Sequence, residues 1–409
     1  MSRIDDLIRD LCPDGVDFQT LEEIFNIRNG YTPSKRDSEA WSGNEVPWFR
    51  MDDIRSHGRI LTDAAQRISS SAVKGGRLFP ANSIIVATSA TIGEHALIRV
   101  PHLSNQRFTN LALKNKFKNS LDVKFLFYYC FVLDDWCLKN VTTSSFSSVD
   151  MARFKKFKFP IPPLEIQYEI VRVLDRFTEL EAELEAELEA RQQQYAFYLR
   201  KLFELPSICM AEWVRLGDVT EIRSGWGFPK SEQGNAIEGT PFYKVSDMNL
   251  SGNEIEMHAA SNYVDKAAIK RLHVKPAPVG TVIFPKIGAA LRTNKKRLLS
   301  CVAAYDNNIM GLIPTPLVEC RYLYYWMQLV NLSSIANDSG AVPSIRKSEM
   351  GKIRFPLLPF EEQSQIADAL DKFNVIVNHL TSGLPAEIEA RRRQYEYYRD
   401  RLLTFPEKR

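Results

Sequence analysis

Basic and aromatic side chains recur in the loop-like stretches of this 409-residue chain, and they are the residues whose chemistry stands out. Arg and Lys can neutralise phosphates or pair with guanine edges, while Ser and Thr hydroxyls can bond to either group. Any single one could equally be a solvated surface residue. The candidate nucleic-acid contacts are Tyr31, Lys35, Arg36, Arg50, Arg107, Ser144, Ser145, Trp226, Lys230, Lys244, Lys286, Arg292, Lys295, Lys296 and Arg297.

Motifs for catalysis and cofactor binding are missing from the sequence. A phosphate-binding loop ends in Gly-Lys-Ser/Thr, but Gly351-Lys352 is followed by Ile353. The double proline Pro162-Pro163 lacks the flanking residues of the amino-methyltransferase tetrad. The six histidines show no H-E-x-x-H spacing, and the six cysteines form no C-x-x-C pair. We therefore expect no catalytic site, no metal site and no cofactor in this chain.

Composition bounds the class of protein. The chain is 44% hydrophobic and 25% charged, which is ordinary for a globular protein, and its length suggests two to four domains. No run of 18 apolar residues exists, and the start lacks the apolar segment of a signal peptide. We expect a soluble protein of the cytoplasm. Because residues 160–205 hold 5 Lys or Arg against 10 Asp or Glu, the net charge of +3 conceals a more basic remainder.

The chain contains an internal repeat. Residues 159–167 reappear as 355–363, an offset of 196, and residues 191–198 reappear as 391–398, an offset of 200. Weaker matches continue upstream, so the whole chain is two copies of one unit. Residues 7–11 also resemble the helix end at 198–202, which suggests that the N-terminal segment is a displaced piece of a helix.

Each copy is predicted to contain an irregular α/β domain followed by one long helix. Short apolar runs at 83–87 and 281–284 predict buried strands, and 125–136 and 322–332 predict helices. The predicted organisation is an N-terminal helical segment 1–17, α/β domains 18–158 and 206–354, and long helices 159–205 and 355–409.

An apolar stripe runs along each long helix, with steps of three, four and seven residues. Neither helix can bury its stripe alone, so we expect an antiparallel, pseudo-two-fold pair that acts as a spacer of roughly 60 Å. Gly383 and Pro385 interrupt the second stripe, and an interior proline costs about 3 kcal/mol. A kink or break is expected there.

Two features of the helices go beyond the stripe. The first helix carries Glu-Leu-Glu-Ala three times in tandem at 179–190, a pattern that could be merely a solvated face. Aromatic residues also exceed what one helix pair can cover, which is typical of a protein interface, although a wider intramolecular core would use them too. These candidate partner-binding residues are Tyr195, Phe197, Tyr198, Tyr395, Tyr397 and Tyr398.

The repeats resemble the specificity subunits of type I restriction–modification systems. The resemblance rests on the Pro-Leu-x-x-Gln-type helix starts at 163–167 and 359–363 and on the Arg-x-x-Gln-Tyr-x-x-Tyr ends at 191–198 and 391–398. The tandem tetrads resemble those of the type IC branch. One departure is Phe360, where the helix start usually has leucine. The likeness covers the whole chain and is weakest in the α/β domains.

This resemblance implies an α+β fold in which two target-recognition domains are joined by an antiparallel helical spacer. Each domain would read one half of a bipartite site in double-stranded DNA, and the helices would dock two methyltransferase (modification) subunits. Motor and nuclease (restriction) subunits would join for cleavage. S-adenosylmethionine, ATP and Mg would belong to those partners, and this chain would be non-catalytic.

Two other interpretations stay open on sequence alone. A stand-alone DNA-modifying enzyme with cryptic motifs would methylate or cut DNA unaided. A coiled-coil scaffold for proteins alone would show no salt-dependent DNA binding.

Overall fold

The computed structural model describes residues 3–142, 147–204, 211–234, 238–337, 342–378 and 384–408. The chain divides into two compact units, unit 1 with residues 1–181 and 391–409, and unit 2 with residues 182–390. Each unit therefore combines one α/β repeat with segments of the long helices. Within the described residues, no helix is long and apolar enough to cross a membrane.

The first repeat begins with a short helix and ends with the longest one. Its helices are α1 (Arg3–Leu11), α2 (Leu21–Ile24), α3 (Ser38–Ser42), α4 (Met51–His57), α5 (Val123–Lys139), α6 (Met151–Lys155) and α7 (Leu164–Leu202). Its strands are β1 (Phe18–Thr20), β2 (Phe25–Asn29), β3 (Val46–Phe49), β4 (Ile60–Leu61), β5 (Arg67–Ile68), β6 (Ser83–Ala87), β7 (His95–Ile98), β8 (Leu103–Ser104), β9 (Phe108–Leu113), β10 (Val141–Thr142), β11 (Ser148–Val149) and β12 (Lys158–Pro160).

The second repeat has the corresponding sheet strands in the same order, while several of its short elements differ. Its strands are β13 (Glu212–Arg215), β14 (Thr220–Ser224), β15 (Thr240–Tyr243), β16 (Glu256–Met257), β17 (Tyr263–Val264), β18 (Val282–Pro285), β19 (Arg297–Leu299), β20 (Ala304–Tyr305), β21 (Ile309–Pro314) and β22 (Arg354–Leu357). Its helices are α8 (Leu216–Val219), α9 (Lys266–Arg271), α10 (Cys320–Leu329), α11 (Leu332–Ile335), α12 (Lys347–Gly351), α13 (Phe360–Asn378) and α14 (Leu384–Leu402).

The sheets of the two repeats have one topology. Unit 1 has a five-stranded sheet in the order β2-β9-β6-β7-β4 and a three-stranded sheet β5-β3-β8. Unit 2 has β14-β21-β18-β19-β16 and β17-β15-β20, which are the corresponding strands in the same positions. The strands predicted at 83–87 and 281–284 are the central β6 and β18, buried because their apolar runs are covered on both faces. The predicted repeat of α/β domains is confirmed.

Helix α5 matches its prediction, whereas the helix predicted at 322–332 is two helices. Helix α10 ends at Leu329, and α11 begins at Leu332. The side chain of Asn331 accepts a hydrogen bond from the backbone of Ser333 and so caps the new helix.

Each long helix is tied at its start to its own domain by a glutamine. Gln167 accepts a hydrogen bond from the backbone N–H of Asp122 at 2.8 Å and donates to the carbonyls of Ser120 and Pro162 at 2.8 and 2.7 Å. Because Asp122 caps α5, this one side chain links the starts of two helices. The Pro-Leu-x-x-Gln pattern is thus a structural joint.

The second repeat makes the same joint. Gln363 accepts from the backbone of Glu319 at 2.9 Å and donates to the carbonyls of Leu317 and Leu358 at 2.9 and 2.8 Å. Both glutamines are fully buried. Duplication has therefore preserved all three hydrogen bonds, atom for atom.

An aspartate two turns further along each long helix binds the domain again. Asp175 accepts from Lys124 Nζ at 2.6 Å and from the Tyr128 hydroxyl at 2.7 Å. In unit 2, Asp371 accepts from the Arg321 guanidinium and the Tyr325 hydroxyl. Each aspartate belongs to a repeated Leu-Asp-x-Phe sequence, at 174–177 and 370–373, which thus ties the helix to its domain in both repeats.

Helix segments of the two repeats pack antiparallel within each unit. In unit 1, the rings of Phe177 and Tyr398 stack with centroids 5.5 Å apart, and Glu181 pairs with Arg392 at 2.6 Å. Numbers rise along one helix as they fall along the other, so the segments run in opposite directions. In unit 2, Tyr198 stacks on Phe373 with ring centroids 5.0 Å apart. Tyr198 corresponds to Tyr398 and Phe373 to Phe177, so the two units contain equivalent stacks. The predicted antiparallel arrangement is confirmed within each unit.

Pro385 does not interrupt a helix, as the sequence predicted, but lies in the first turn of one. Helix α13 ends at Asn378 and α14 begins at Leu384, while the expected break at Gly383 lies outside the described residues. Pro385 is the second residue of α14. A backbone N–H has no partner in the first turn of a helix, so a proline is tolerated there and the cost of an interior proline does not arise.

The N-terminal helix is an addition to unit 1. The prediction that residues 1–11 are a displaced helix end is wrong, because α14 keeps its own end through Leu402 and buries Leu403 as unit 2 buries Phe203. Helix α1 instead inserts Ile4 into the core of unit 1, and Asp5 lies 3.7 Å from Arg401. Its amphipathic sequence supplies one more apolar face to this unit.

Candidate nucleic-acid interface

A glycine fixes the first loop of each domain. A Cβ on Gly30 would lie 2.2 Å from the carbonyl oxygen of Asn105, and one on Gly225 would lie 2.0 Å from that of Asp306. Neither distance is physically possible, so only glycine lets the backbone after β2 or β14 approach the neighbouring segment this closely. The next residue in each repeat, Tyr31 or Trp226, is thereby held beside that segment.

These two aromatic candidates are half-buried. The Tyr31 hydroxyl donates to the carbonyl of Ala72 at 2.6 Å and accepts from the backbone of Lys74 at 2.8 Å. Trp226 packs on Tyr305 with ring centroids 5.8 Å apart. The Tyr31 hydroxyl is thus bonded within the fold and the Trp226 ring packs on a neighbouring tyrosine, so both residues help to build their loops.

Arg50 and Lys244 occupy the same position in their domains. Each follows a buried strand, β3 or β15, and donates its backbone N–H at 2.7 Å to an aspartate, Asp53 or Asp247. The Arg50 guanidinium lies 5.8 Å from the Trp48 ring, and its Nε is buried without a hydrogen-bond partner in the described structure. The repeat therefore places a positioned cation at one geometric point in both domains.

Several other candidates are exposed on the loops. Among the described residues, their charged groups form no ion pair or side-chain hydrogen bond, so they are available to a polyanion. This set comprises Lys35, Arg36, Arg107, Lys230 and Arg292.

Three neighbouring candidates are already bonded within the fold. Lys296 is fully buried, its Nζ donates to the carbonyl of Val330 at 2.7 Å, and burial lowers its pKa to about 8. Arg297 donates to the carbonyls of Lys296 and Met248 at 2.8 and 3.1 Å, and Lys295 bonds to Asn249. The prediction that Lys296 contacts nucleic acid is wrong because this side chain is fully buried and its ammonium is bonded within the fold. Two nitrogens of the Arg297 guanidinium donate to backbone carbonyls, while its buried Nε has no partner among the described residues.

The hydroxyl candidates Ser144 and Ser145 lie outside the described residues. They are flanked by the short hairpin of β10 and β11, in which Thr142 bonds to Ser148 at 3.0 Å. Ser148 also pairs with Ser89, just beyond the end of β6. The corresponding bridge in unit 2 joins Ile287 to Ser344.

Lysine 347 is a cation that the sequence did not single out. The bridge between Ile287 and Ser344 brings it beside Lys286, which follows β18 directly. Burial and the charge of Lys347 lower the pKa of Lys286. Only the sheet register reveals this neighbourhood, because 61 residues separate the two lysines along the chain.

The aromatic candidates on the long helices fall into two groups. Tyr195 and Tyr395 are half-buried against the cores of their units, and burial raises the pKa of Tyr395 to about 12. Tyr198 and Tyr398 make the stacks described above. By contrast, Phe197 is 56% exposed and Tyr397 is 62% exposed. Four of the six therefore pack within the chain, although Tyr198 is still 37% exposed, and the matched pair Phe197 and Tyr397 lies on the surface.

The described residues contain no cluster of His, Cys, Asp or Glu that could hold a metal ion. His95 is buried and bonds to the equally buried Asp134 at 2.6 Å, where Arg59 also approaches within 3.3 Å. His102 is buried too, and burial lowers its pKa to about 4. These histidines belong to the core of unit 1.

Comparison with known proteins gives a consistent result. The type I restriction modification DNA specificity domain matches residues 13–190 and again 210–390. The chain is 41% identical over 382 residues to the EcoprrI specificity subunit of Escherichia coli, with 90% of each chain covered. It is 28% identical over 283 residues to the EcoR124I/EcoR124II specificity subunit of the same species, covering 65% of this chain and 69% of that one.

Solved structures agree in fold. A chain from a study of complex assembly and conformational transition of the type I R-M system matches with a TM-score of 0.66 at 17% identity, covering 96% of this chain and 98% of that chain. The S subunit from M. genitalium gives a TM-score of 0.50 at 15% identity, over 96% and 97%. With both repeats matched by the same domain family and a full-length relative above 40% identity, this chain belongs to the specificity subunits of type I restriction–modification systems.

Proposed function

We propose that this chain selects the DNA target of a type I restriction–modification complex, with domain 18–158 reading one half of a bipartite site and domain 206–354 the other. The observation that carries this proposal is one fold presenting different side chains at equivalent points. Arg50 corresponds to Lys244, and Arg107 corresponds to Asn308. Two copies with the same chemistry would read two identical half-sites, whereas these differ.

Salt-dependent affinity would come from the exposed cations, and base selection from the side chains nearest the loop segment after β8 or β20. The chain itself would be non-catalytic. Methyl transfer to adenine from S-adenosylmethionine, and cleavage driven by ATP and Mg, would be carried out by partner subunits acting on cytoplasmic DNA. The tandem tetrads make a type IC-like branch the preferred assignment.

The exposed aromatic pair supports docking of two modification subunits. Phe197 and Tyr397 are related by the offset of 200 and lie in different units, so each unit offers one such surface. Two equivalent surfaces fit two copies of one partner. Replacing both residues with serine should weaken co-purification of the modification subunit, while a single replacement should leave one copy bound.

Mapping methylated adenines tests the proposal directly. Cells expressing the chain with its modification subunits should methylate one bipartite sequence. Exchanging residues 18–158 for the matching segment of a relative should change one half of that sequence and leave the other. A simultaneous change in both halves would contradict separate reading, and methylation by the purified chain alone would favour the stand-alone enzyme.

A further inference from the structure

Unit 2 holds two lysines close together, and no carboxylate of the described residues is bonded to either. Lys286 is half-buried, and its backbone is held on both sides, since its N–H donates to Asn308 and its carbonyl accepts from Ile345, both at 2.8 Å. Lys347 follows two residues after Ile345, as the first residue of α12. The position of Lys286 is therefore fixed by the sheet, and Lys347 is brought to it by the same contact.

Asp306, the acid whose charge acts on Lys286, does not form an ion pair with either lysine in the described structure. Asp306 is 6% exposed, and its carboxylate accepts hydrogen bonds from the backbone and side chain of Asn308 at 3.0 and 3.1 Å. Its charge acts on Lys286, yet among the described residues no salt bridge forms to Lys286 or Lys347. Burial of Lys286, and after it the charge of Lys347, lower the pKa of Lys286, so the repulsion between the two ammonium groups is not cancelled. An anion bound between them would remove that repulsion.

Neither lysine has a counterpart at the equivalent position of unit 1. Thr88 takes the place of Lys286, with its N–H donating to Arg107 and its carbonyl accepting from Val149 in the same pattern. Its hydroxyl is bonded to Thr109 at 2.8 Å and is buried. Met151 stands where unit 2 has Lys347. The backbone is duplicated, but the two lysines have no counterparts in unit 1, which carries its cation at Arg107 where unit 2 has Asn308.

We propose that Lys286 and Lys347 jointly bind one backbone phosphate of the half-site read by unit 2, and that unit 1 lacks this contact. A phosphate fits better than a base edge because lysine ammonium groups act as point charges without the planar geometry of base recognition. The two domains then contribute unequally to the salt-dependent part of DNA affinity. This inference rests on the proposed function.

The test measures DNA affinity of the full chain, assembled with its modification subunits, between 50 and 200 mM salt on a duplex carrying the mapped site. Losing one phosphate contact should reduce the slope of log affinity against log salt by about 1 in K286Q/K347Q. The methylated sequence should not change. K286R/K347R, which keeps both charges, should retain the wild-type slope and so exclude a folding defect.

The matched control is K266Q/K270Q, which removes the same charge from the exposed lysines of α9 in the same unit. Its slope should stay at the wild-type value. An equal fall in both variants would overturn the inference by showing only a general charge effect, and a changed half-site sequence in K286Q/K347Q would overturn it in favour of base reading. If the wild-type assembly bound no defined sequence, the proposed function itself would fail instead.

Discussion

The two repeats differ least where helix meets domain and most where loops face outward. Gln167 and Gln363 make the same three hydrogen bonds, and Asp175 and Asp371 bind the same pair of positions. At the loop after the central strand, however, a buried threonine in unit 1 corresponds to a lysine in unit 2. The contacts that join helix and domain are thus the same in both repeats, whereas the loop side chains that could bind a ligand differ.

The largest effect expected concerns the helix stripe on which both repeats depend. Leu180, Leu184 and Leu188 are half-buried along α7, spaced by the tetrads. Deleting residues 183–184 rotates everything beyond by about 160° and turns the stripe to solvent. We expect this variant to lose folded protein and all methylation.

Deleting residues 183–186 is the matched control, because it rotates the helix by only about 40° and shortens it by about 6 Å. The leucines can then repack one tetrad along. We expect retained half-sites with a changed unread spacer in the methylation map. Full activity with unchanged spacing would show that the tetrads are only a solvated face.

The next effect probes the joint shared by the repeats. Gln167→Leu leaves two carbonyls and one N–H without partners, which costs about 3 kcal/mol. Gln363→Leu should cost the same in unit 2, since it removes the same bonds. Hydrogen exchange at the starts of α5 and α10 reports each joint locally. Gln193→Leu, at an exposed position of α7, should change neither. If hydrogen exchange rose much more in one of the two glutamine variants than in the other, the two glutamines would not have equivalent roles.

Lowering the pH should change the stability of the two units differently. His102 is buried in unit 1 with a pKa of about 4, and Ala303 stands at its position in unit 2. Unfolded His102 regains a pKa near 6.5, so below that pH the unfolded chain binds the extra proton. Stability of unit 1 should therefore fall as pH decreases from 6.5 towards 4, by up to about 3 kcal/mol.

The measurement is hydrogen exchange of unit 1 as a function of pH, compared with His102→Gln. The neutral ring contacts the carbonyl of Val100 at 2.9 Å and the Asn110 amide at 3.1 Å, so glutamine keeps polar groups but removes the titration. The variant should show a flatter pH dependence. An identical pH dependence in the variant would mean that another group controls acid stability.

The parts of the fold that the sequence predicts are those that follow a repeated or periodic pattern. Periodicity and duplicated motifs identify the buried strands β6 and β18 and the long helices, because apolar burial is local and strongly patterned. The role of Gln167 escapes prediction, since two of its three partners lie 45 and 47 residues away. The N-terminal helix was misassigned because five similar residues cannot show which core they join.

The contact surface is harder to predict for a related physical reason. Arg50 and Lys244 are predicted from the sequence and lie at equivalent points, although their contact with DNA stays a prediction. Lys296 looks like its basic neighbours, yet strand pairing turns it into the core. Lys347 shows no signal until the sheet brings it beside Lys286. Side-chain direction and long-range pairing, and not residue type, decide which cations reach a ligand.

The smallest expected effect is on DNA affinity, and it tests directly whether each domain reads its own half of the target. Arg50→Ala and Lys244→Ala each remove one positioned cation from one domain, and a single such contact is worth about 1 kcal/mol, or roughly fivefold in affinity. On a duplex whose first half-site is scrambled, the loss caused by Arg50→Ala should disappear, while Lys244→Ala should still weaken binding. Scrambling the second half-site should reverse the pattern. Lys118→Ala, at an exposed lysine of unit 1, controls for charge alone. Losses that persist on both scrambled duplexes would mean that these cations strengthen binding without regard to half-site, and the assignment of one reader to each half would then rest on other residues.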